Sequence, residues 1–334
     1  MNILITGGNG YIGSHTYVSL REQFPHAQLV IADNLSNSTV KALDNLKKIV
    51  QEEILFHNID ICHEEILEDL FSKHNFDAII HFAGFKAVGE SVDNPLKYYN
   101  NNLIGTLNLV KLCLKYDVKK FVFSSSATVY GDRVSPIVES LELLPTSNPY
   151  GETKAMCERI LMDVAAINPE FSVSILRYFN PVGAHESGMI GEAANGMPNN
   201  LMPYITKVAK GELRALNVFG GDYPTIDGTG VRDYIHVMDL AEGHAAALAH
   251  LKPGTHIYNL GTGKGTSVLQ LVDTFQRVNG VRIPYEIVGR RNGDLASVFA
   301  DVSKAERELQ WQAKRTIECM CRDAWNFEKN YVLI

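Results

Sequence analysis

A chain of 334 residues, 46% hydrophobic and 21% charged, has the composition of a soluble globular protein and can fill one large domain or two moderate ones. Its formal net charge of −7 and the lack of any long Lys/Arg tract argue against a nucleic-acid partner. No apolar run approaches the ~18 residues needed to cross a bilayer, so no membrane partner is expected.

Short apolar runs alternate with amphipathic stretches through the first half. Strands are predicted at 2–6, 28–32, 54–56, 77–82, 120–124 and 172–177, and helices between them at 14–22, 39–52, 64–74, 95–116 and 151–167. Such alternation builds an α/β fold, a doubly wound parallel sheet. After about Phe179, Gly, Pro and Asn become frequent and the helical patterns irregular. A first domain at 1–179 and a smaller lobe at 180–334 are therefore expected, with the ligand between them. Later strands at 235–238 and 256–260 are candidates to return to the first domain, within a stretch near 235–262.

The residues 1–5 run directly into the first strand, leaving no basic region or cleavage site for export. The five cysteines, Cys62, Cys113, Cys157, Cys319 and Cys321, lack paired spacing, and Cys319-x-Cys321 is too tight for a zinc knuckle. Reduced thiols, a cytoplasmic location and no metal site are expected. The 11 histidines form no ligand triad, and His81, inside a strand, reads as structural.

Gly7, Gly10 and Gly13 follow the first strand and open the first helix. The spacing is G-x-x-G-x-x-G, but the physics matches the commoner dinucleotide fingerprint: close backbone approach, and a helix N-terminus for the pyrophosphate. Asp33 ends the second strand, where a carboxylate accepts hydrogen bonds from an adenosine ribose. It would repel a 2′-phosphate, and no Arg occupies 33–38, so NAD is favoured over NADP. A Rossmann-type domain follows. Asp60 is placed to reach the adenine amino group, and Phe82-Ala83-Gly84 lets backbone pass close to the phosphates.

Tyr150 and Lys154, four residues apart, share one helix face. A free Tyr has a pKa of ~10 and needs a drop of about three units to act as a base near neutrality. The Lys154 ammonium, the positive nicotinamide and the N-terminus of a helix opened by Asn148-Pro149 are expected to supply it. Ser126, just beyond a strand end, could hold the substrate hydroxyl and relay its proton.

The blocks TGGNGYIGSH (6–15), DNLSNS (33–38), HFAGFKAVGES (81–91), SSSATVYGD (124–132), NPYGETK (148–154), LRYFNPVGAH (176–185), MPNNLMPY (197–204), DGTGVRDYIHVMDLAEGH (227–244), YNLGTGKG (258–265) and RRNGD (290–294) run through essentially the whole chain. In them the sequence resembles the extended short-chain dehydrogenase/reductases, most closely the branch that inverts C4 of UDP-hexoses. The resemblance implies that Tyr150 is the catalytic base and acid, with Lys154 and Ser126 assisting. NAD is implied to touch Tyr11, Ile12, Asp33, Asn34, Leu35, Ser36, Asn37, Ser38, Asp60, Ile61, Phe82, Ala83, Gly84, Phe85, Lys86, Asn101, Tyr150, Lys154 and Phe179. A UDP-hexose is implied to meet Ser126, Asn180, Asn200, Leu201, Asn217, Val218, Phe219, Arg232, Arg291 and Asp294. Two Arg from distant segments suit a diphosphate.

The implied activity interconverts UDP-galactose and UDP-glucose through oxidation at C4, rotation of the 4-keto sugar and re-reduction, with NAD kept bound. The position of Val298 is implied to face the sugar's 2-substituent, where a small residue admits N-acetylated hexoses and a large aromatic excludes them. Secondary activity on UDP-N-acetylhexosamines is expected from it. A homodimer through a four-helix bundle of the 95–116 and 151–167 helices is implied as well. A 4,6-dehydratase of the same superfamily would carry Asp-Glu after the Ser/Thr segment, where this chain has Ala127-Thr128. A nucleotide-sugar dehydrogenase that consumes NAD is not separated by residues alone. A non-catalytic NAD-binding regulator would be expected to lose Tyr150 or Lys154, and both are present.

Overall fold

Ile3 and Ile5 are buried in one apolar core and Leu4, between them, in another. The same split recurs at Leu29 and Ile31 against Val30 and Ala32, and at Val122 against Phe121 and Phe123. Successive strand residues point to opposite faces, so a sheet covered on both sides demands an unbroken apolar run. That is why these strands are legible as runs and not as alternations.

The computed structural model describes residues 1–193, 198, 200–291 and 293–331. Met197, Asn199 and Asn292 of the sequence blocks lie outside the described residues. The first part runs β1 (Asn2–Thr6), α1 (Tyr11–Gln23), β2 (Gln28–Asp33), α2 (Val40–Val50), β3 (Leu55–Asn58), α3 (Glu64–Lys73), β4 (Ala78–His81), α4 (Val88–Asp93), α5 (Pro95–Lys115), β5 (Lys120–Ser124), α6 (Pro149–Ile167) and β6 (Ser172–Tyr178). Then follow β7 (Asn180–Val182), α7 (Leu201–Ala209), β8 (Leu216–Phe219), β9 (Val231–Arg232), β10 (Tyr234–His236), α8 (Val237–Ala249), β11 (Thr255–Leu260), β12 (Thr266–Ser267), α9 (Val268–Asn279), β13 (Tyr285–Val288), β14 (Ser297–Val298), α10 (Ser303–Leu309) and α11 (Ile317–Asn330).

Seven parallel strands lie in the order β11-β6-β5-β4-β1-β2-β3. The chain winds outward from β1 in one direction and from β4 in the other. The crevice beyond their carboxyl ends is where an open α/β sheet binds its ligand. α1 packs on α8, whereas α5 packs on α3 and α6.

The later chain forms small sheets, β7 with β10, β8 with β13, and β12-β9-β14, around a separate core that includes Met202, Ile205, Leu271, Phe275 and Met320. Two expectations need correction here. The strand expected at 235–238 is only Tyr234–His236, paired with β7 and not with the large sheet. The His236 ring accepts from Met238 N at 3.1 Å and so caps α8, an N-cap outside the usual Ser/Thr/Asp/Asn set. The helices of this part are also not irregular: α9 opens with a complete capping box, Ser267 with Gln270. The short helix α4 had no signal of its own in the sequence.

Candidate active site

The turn after β1 is built for close approach. Gly7 has φ +68°, and a Cβ there would lie 2.7 Å from Ala83 N, while one on Gly13 would lie 2.3 Å from Gly7 O. Only glycine tolerates either. Gly10 caps α1 without a side-chain hydrogen bond, and no acid occupies the first turn. Gly10, Tyr11, Ile12 and Gly13 of that turn line the crevice, and a helix N-terminus without a side-chain cap there is the arrangement that receives a phosphate.

Asp33 is buried, and its carboxylate accepts from Asn9 N at 3.1 Å, Leu35 N at 2.9 Å and Ser38 Oγ at 3.1 Å. These bonds aim it along the β2 end. Asp60 accepts from Cys62 N at 2.9 Å and Asn34 Nδ2 at 3.1 Å. Burial works against its charge, but these hydrogen bonds prevail and hold its pKa below the ordinary value. The glycine cradle, the bare helix terminus and the oriented Asp33 fit a dinucleotide.

On the opposite side of the switch point, Asn148 caps α6 by accepting from Gly151 N at 2.9 Å, and Pro149 takes the first turn. This sets Tyr150 and Lys154, 7% and 6% exposed, toward the end of β5. Lys154 Nζ donates to the carbonyl oxygen of Ser124 at 2.7 Å and lies 4.8 Å from the centre of the Phe123 ring. Ser126 Oγ accepts from Thr128 N at 3.2 Å and from Thr128 Oγ1 at 3.0 Å.

The expected fall in the Tyr150 pKa is not supplied by the protein's own groups. Burial is the largest influence and raises the phenol well above the tyrosine range, and Tyr178 adds to the rise. A hydrogen bond with Ser126 and the charge of Lys86 pull it down. Burial also pushes Lys154 down to about 8. His81, held between Thr6 Oγ1 at 2.7 Å and Thr106 Oγ1 at 3.1 Å, is structural and pushed down to about 3, chiefly by burial.

The second wall carries the cations. Arg232 and Arg291 meet at Asp294, with Arg232 Nη2 3.4 Å and Arg291 Nε 2.9 Å from its carboxylate oxygens. Arg232 also donates to the carbonyls of Val231 at 2.8 Å and Leu295 at 2.9 Å. The more exposed Arg291 lies 4.7 Å over the Phe219 ring. Asn217 and Phe219 point outward from β8, whereas the Val218 side chain is buried in the core behind them.

One cleft of about 1510 Å³ joins the two walls, larger than the ~300–1,000 Å³ of a drug-sized ligand's pocket. It is lined by Gly7, Gly10, Tyr11, Ile12, Gly13, Asp33, Asn34, Ser36, Asn37, Ser38, Asp60, Ile61, Phe82, Ala83, Gly84, Phe85, Lys86, Asn101, Tyr150 and Lys154 on one side. Asn180, Asn200, Leu201, Asn217, Val218, Phe219, Arg232, Arg291 and Asp294 line the other. Leu35, Ser126, Phe179 and Val298 are not on its lining. Ser126 still reaches the cleft through Tyr150. Phe179 and Val298 pack in a cluster with Val129, Tyr130, Ile137 and Ala300.

Three further residues belong to the site. Glu192 accepts from Lys86 at 3.0 Å and from Asn200 at 2.6 Å, so one carboxylate oxygen spans the cleft. Tyr178 shares a hydrogen bond with Ser124 at 2.9 Å, and Asn9 orients Asp33. A lone loop Glu has no periodicity to mark it, while Tyr178 and Asn9 lie inside motif blocks and were within reach. Among the described residues no three of His, Cys, Asp or Glu gather as a metal site, and no helix is long and apolar enough to cross a membrane.

Residues 3–261 match the model of the NAD dependent epimerase/dehydratase family, and the chain belongs to that family. It is 55% identical to the UDP-glucose 4-epimerase of Bacillus subtilis (strain 168), over 99% of this chain and 98% of the relative. The structure of UDP-glucose 4-epimerase from Bifidobacterium longum in complex with NAD+ and UDP superimposes with a TM-score of 0.94 at 47% identity, covering 99% and 98% of the two chains. That of the Stenotrophomonas maltophila UDP-glucose-4-epimerase with bound NAD and formylated UDP-arabinopyranose gives 0.96 at 46% identity, again covering 99% and 98%.

Proposed function

We infer that this chain interconverts UDP-galactose and UDP-glucose by inverting C4, with NAD held throughout. The observation that carries this reading is the single cleft in which a dinucleotide cradle and the Tyr150/Lys154 pair face Arg232, Arg291 and Asp294. Near-full-length likeness to UDP-glucose 4-epimerases supports it.

Bound NAD supplies a reversible hydride acceptor beside the sugar. The chain's own residues do the rest. Gly7, Gly10, Gly13 and the α1 terminus hold the pyrophosphate, while Asp33 and Asp60 hold the adenosine. Tyr150 takes the proton from the sugar O4 and later returns one to the same oxygen once C4 is inverted. A phenol raised by burial cannot do this unaided. A second positive charge, which oxidised NAD brings, lowers it further alongside Ser126 and Lys86. Ser126 holds the hydroxyl, and Lys154 carries the ammonium beneath it.

Arg232 and Arg291 anchor the diphosphate, and Asn217 and Phe219 the base. The hexose meets few fixed groups and can turn while the nucleotide stays. Secondary turnover of UDP-N-acetylhexosamines belongs to the same proposal, because Val298 pairs with Arg232 across β14 and β9 and is far smaller than an aromatic.

The chain is proposed to act as a cytoplasmic homodimer. Ile104, Leu107 and Leu114 are exposed on one stripe of α5, which packs beside α6 and suits a helical interface. All five cysteines are free thiols, in keeping with a reducing compartment. Sedimentation should show a dimer, and Leu107→Asp should shift it toward monomer.

The test of function is incubation of purified protein with UDP-galactose and no added NAD, following anomeric protons by NMR. UDP-glucose should appear, and denaturation should release about one equivalent of NAD(H). A 4-keto-6-deoxy sugar or an oxidised sugar formed against added NAD would overturn the reading.

A further inference from the structure

Glu158 and Arg177 form an ion pair with almost no exposure, 0% and 3% for the two side chains. Arg177 Nε donates to Oε1 at 3.0 Å and Nη2 to Oε2 at 2.6 Å, a bidentate fork. A buried pair is weak grounds for stability, since well-packed apolar side chains of similar volume often serve as well or better. Its place in the fold is what distinguishes it. Glu158 follows Lys154 by four residues on α6, one turn along the same face. Arg177 lies on β6, over the Tyr130 ring at 4.7 Å.

The third partner is Ser125, fully buried, whose hydroxyl donates to Glu158 Oε1. Its backbone N donates to Leu176 O at 2.9 Å. Ser125 stands between the Ser124 carbonyl that receives Lys154 and Ser126 that meets Tyr150. Glu158 thus fastens the strand end to the helix between the three reacting side chains, without itself lining the cleft.

We propose that Glu158 is a positioning residue for the reaction, acting through Ser125 to fix Ser126 against Tyr150 and Lys154, with Arg177 neutralising its charge. A leucine at this position could fill the space, but it could not accept the Ser125 hydroxyl. The proposal rests on the reading of Tyr150, Lys154 and Ser126 given above.

Two double variants separate the tie from the packing. Glu158→Leu with Arg177→Met removes both charges and the acceptor. Glu158→Gln with Arg177→Met removes the charges but keeps an oxygen for Ser125. The first should fold, retain its NAD and keep KM for UDP-galactose within about threefold, yet lose kcat by about 10- to 100-fold, the scale of a small misplacement of reacting groups. The second should recover most of that loss. Amide hydrogen exchange over 126–130 should quicken about tenfold in the first and stay near wild type in the second, a change confined to that segment.

Ser125→Ala, which leaves the ion pair intact, should reproduce the kcat loss and faster exchange even if the first double variant does not fold. Failure of the wild-type chain to epimerise would defeat the functional reading, while the exchange data would still decide the tie. Wild-type kcat and exchange in Ser125→Ala, or equal losses in both double variants, would overturn the proposal.

Discussion

Lys154 Nζ donates to the backbone oxygen of Ser124 at 2.7 Å, so the ammonium fastens α6 to the end of the strand that leads into Ser126. It is almost fully buried, and burial lowers its pKa from 10.5 to about 8, against the opposing pull of Cys157 and Glu158. Between those two values the unfolded chain binds more protons than the folded one, so stability should rise with pH across that window. At pH 7 the charged lysine costs roughly 3 kcal/mol.

Lys154→Met should therefore gain stability at pH 7. The net gain is roughly 2 kcal/mol once the Ser124 hydrogen bond, worth about 1 kcal/mol, is lost. The advantage should fade as pH rises from about 8 toward 10.5. The same variant should lose kcat by about 10²–10³-fold through the missing charge. Thermal unfolding and turnover measured across pH check both arms, and a less stable variant at pH 7 would contradict the burial cost.

Tyr150→Phe removes only the proton-transfer group. Turnover should fall about 10²–10⁴-fold, with UDP affinity by calorimetry unchanged within a factor of two or so, since the nucleotide wall is built from other elements. Near wild-type turnover would mean that another group handles the O4 proton.

The two arginines at Asp294 should behave differently. Arg291 is more than half exposed and its guanidinium bonds to Asp294, so Arg291→Ala should weaken UDP binding by about 10- to 100-fold, the worth of a charged hydrogen bond, and leave stability nearly intact. Arg232 also donates to two carbonyls, and Arg232→Ala should cost stability as well as affinity. Binding calorimetry and thermal unfolding on both variants separate the two.

Val298 is half-buried and packs against a cluster that holds Tyr130 and Phe179. A tyrosine there should turn toward the cleft wall and cost about 1–3 kcal/mol through overpacking. Val298→Tyr should remove turnover of UDP-N-acetylglucosamine and largely spare UDP-galactose. Equal loss of both would show that the effect is on folding alone.

The sheet was legible because strands buried on both faces carry unbroken apolar runs such as Ile3-Leu4-Ile5 and Leu29-Val30-Ile31. The α8 start was hidden because a histidine caps it. Spacing and resemblance brought most of the expected site residues to one cleft, since strand ends and glycine turns leave local marks. The electrostatics left none. Spacing placed Lys154 near Tyr150, but its ammonium turns to the Ser124 carbonyl, and burial dominates the phenol. Asp294 between two arginines and Glu192 across the cleft are long-range meetings that no window of sequence contains.

The most direct test is the fate of the C4 hydrogen. UDP-galactose deuterated at C4, incubated with the purified chain in ordinary water, should yield UDP-glucose that keeps its deuterium at C4, because the hydride leaves and returns within one closed site. Loss of the label to solvent, its transfer to added NAD, or a product other than UDP-glucose would contradict inversion at C4 without net redox.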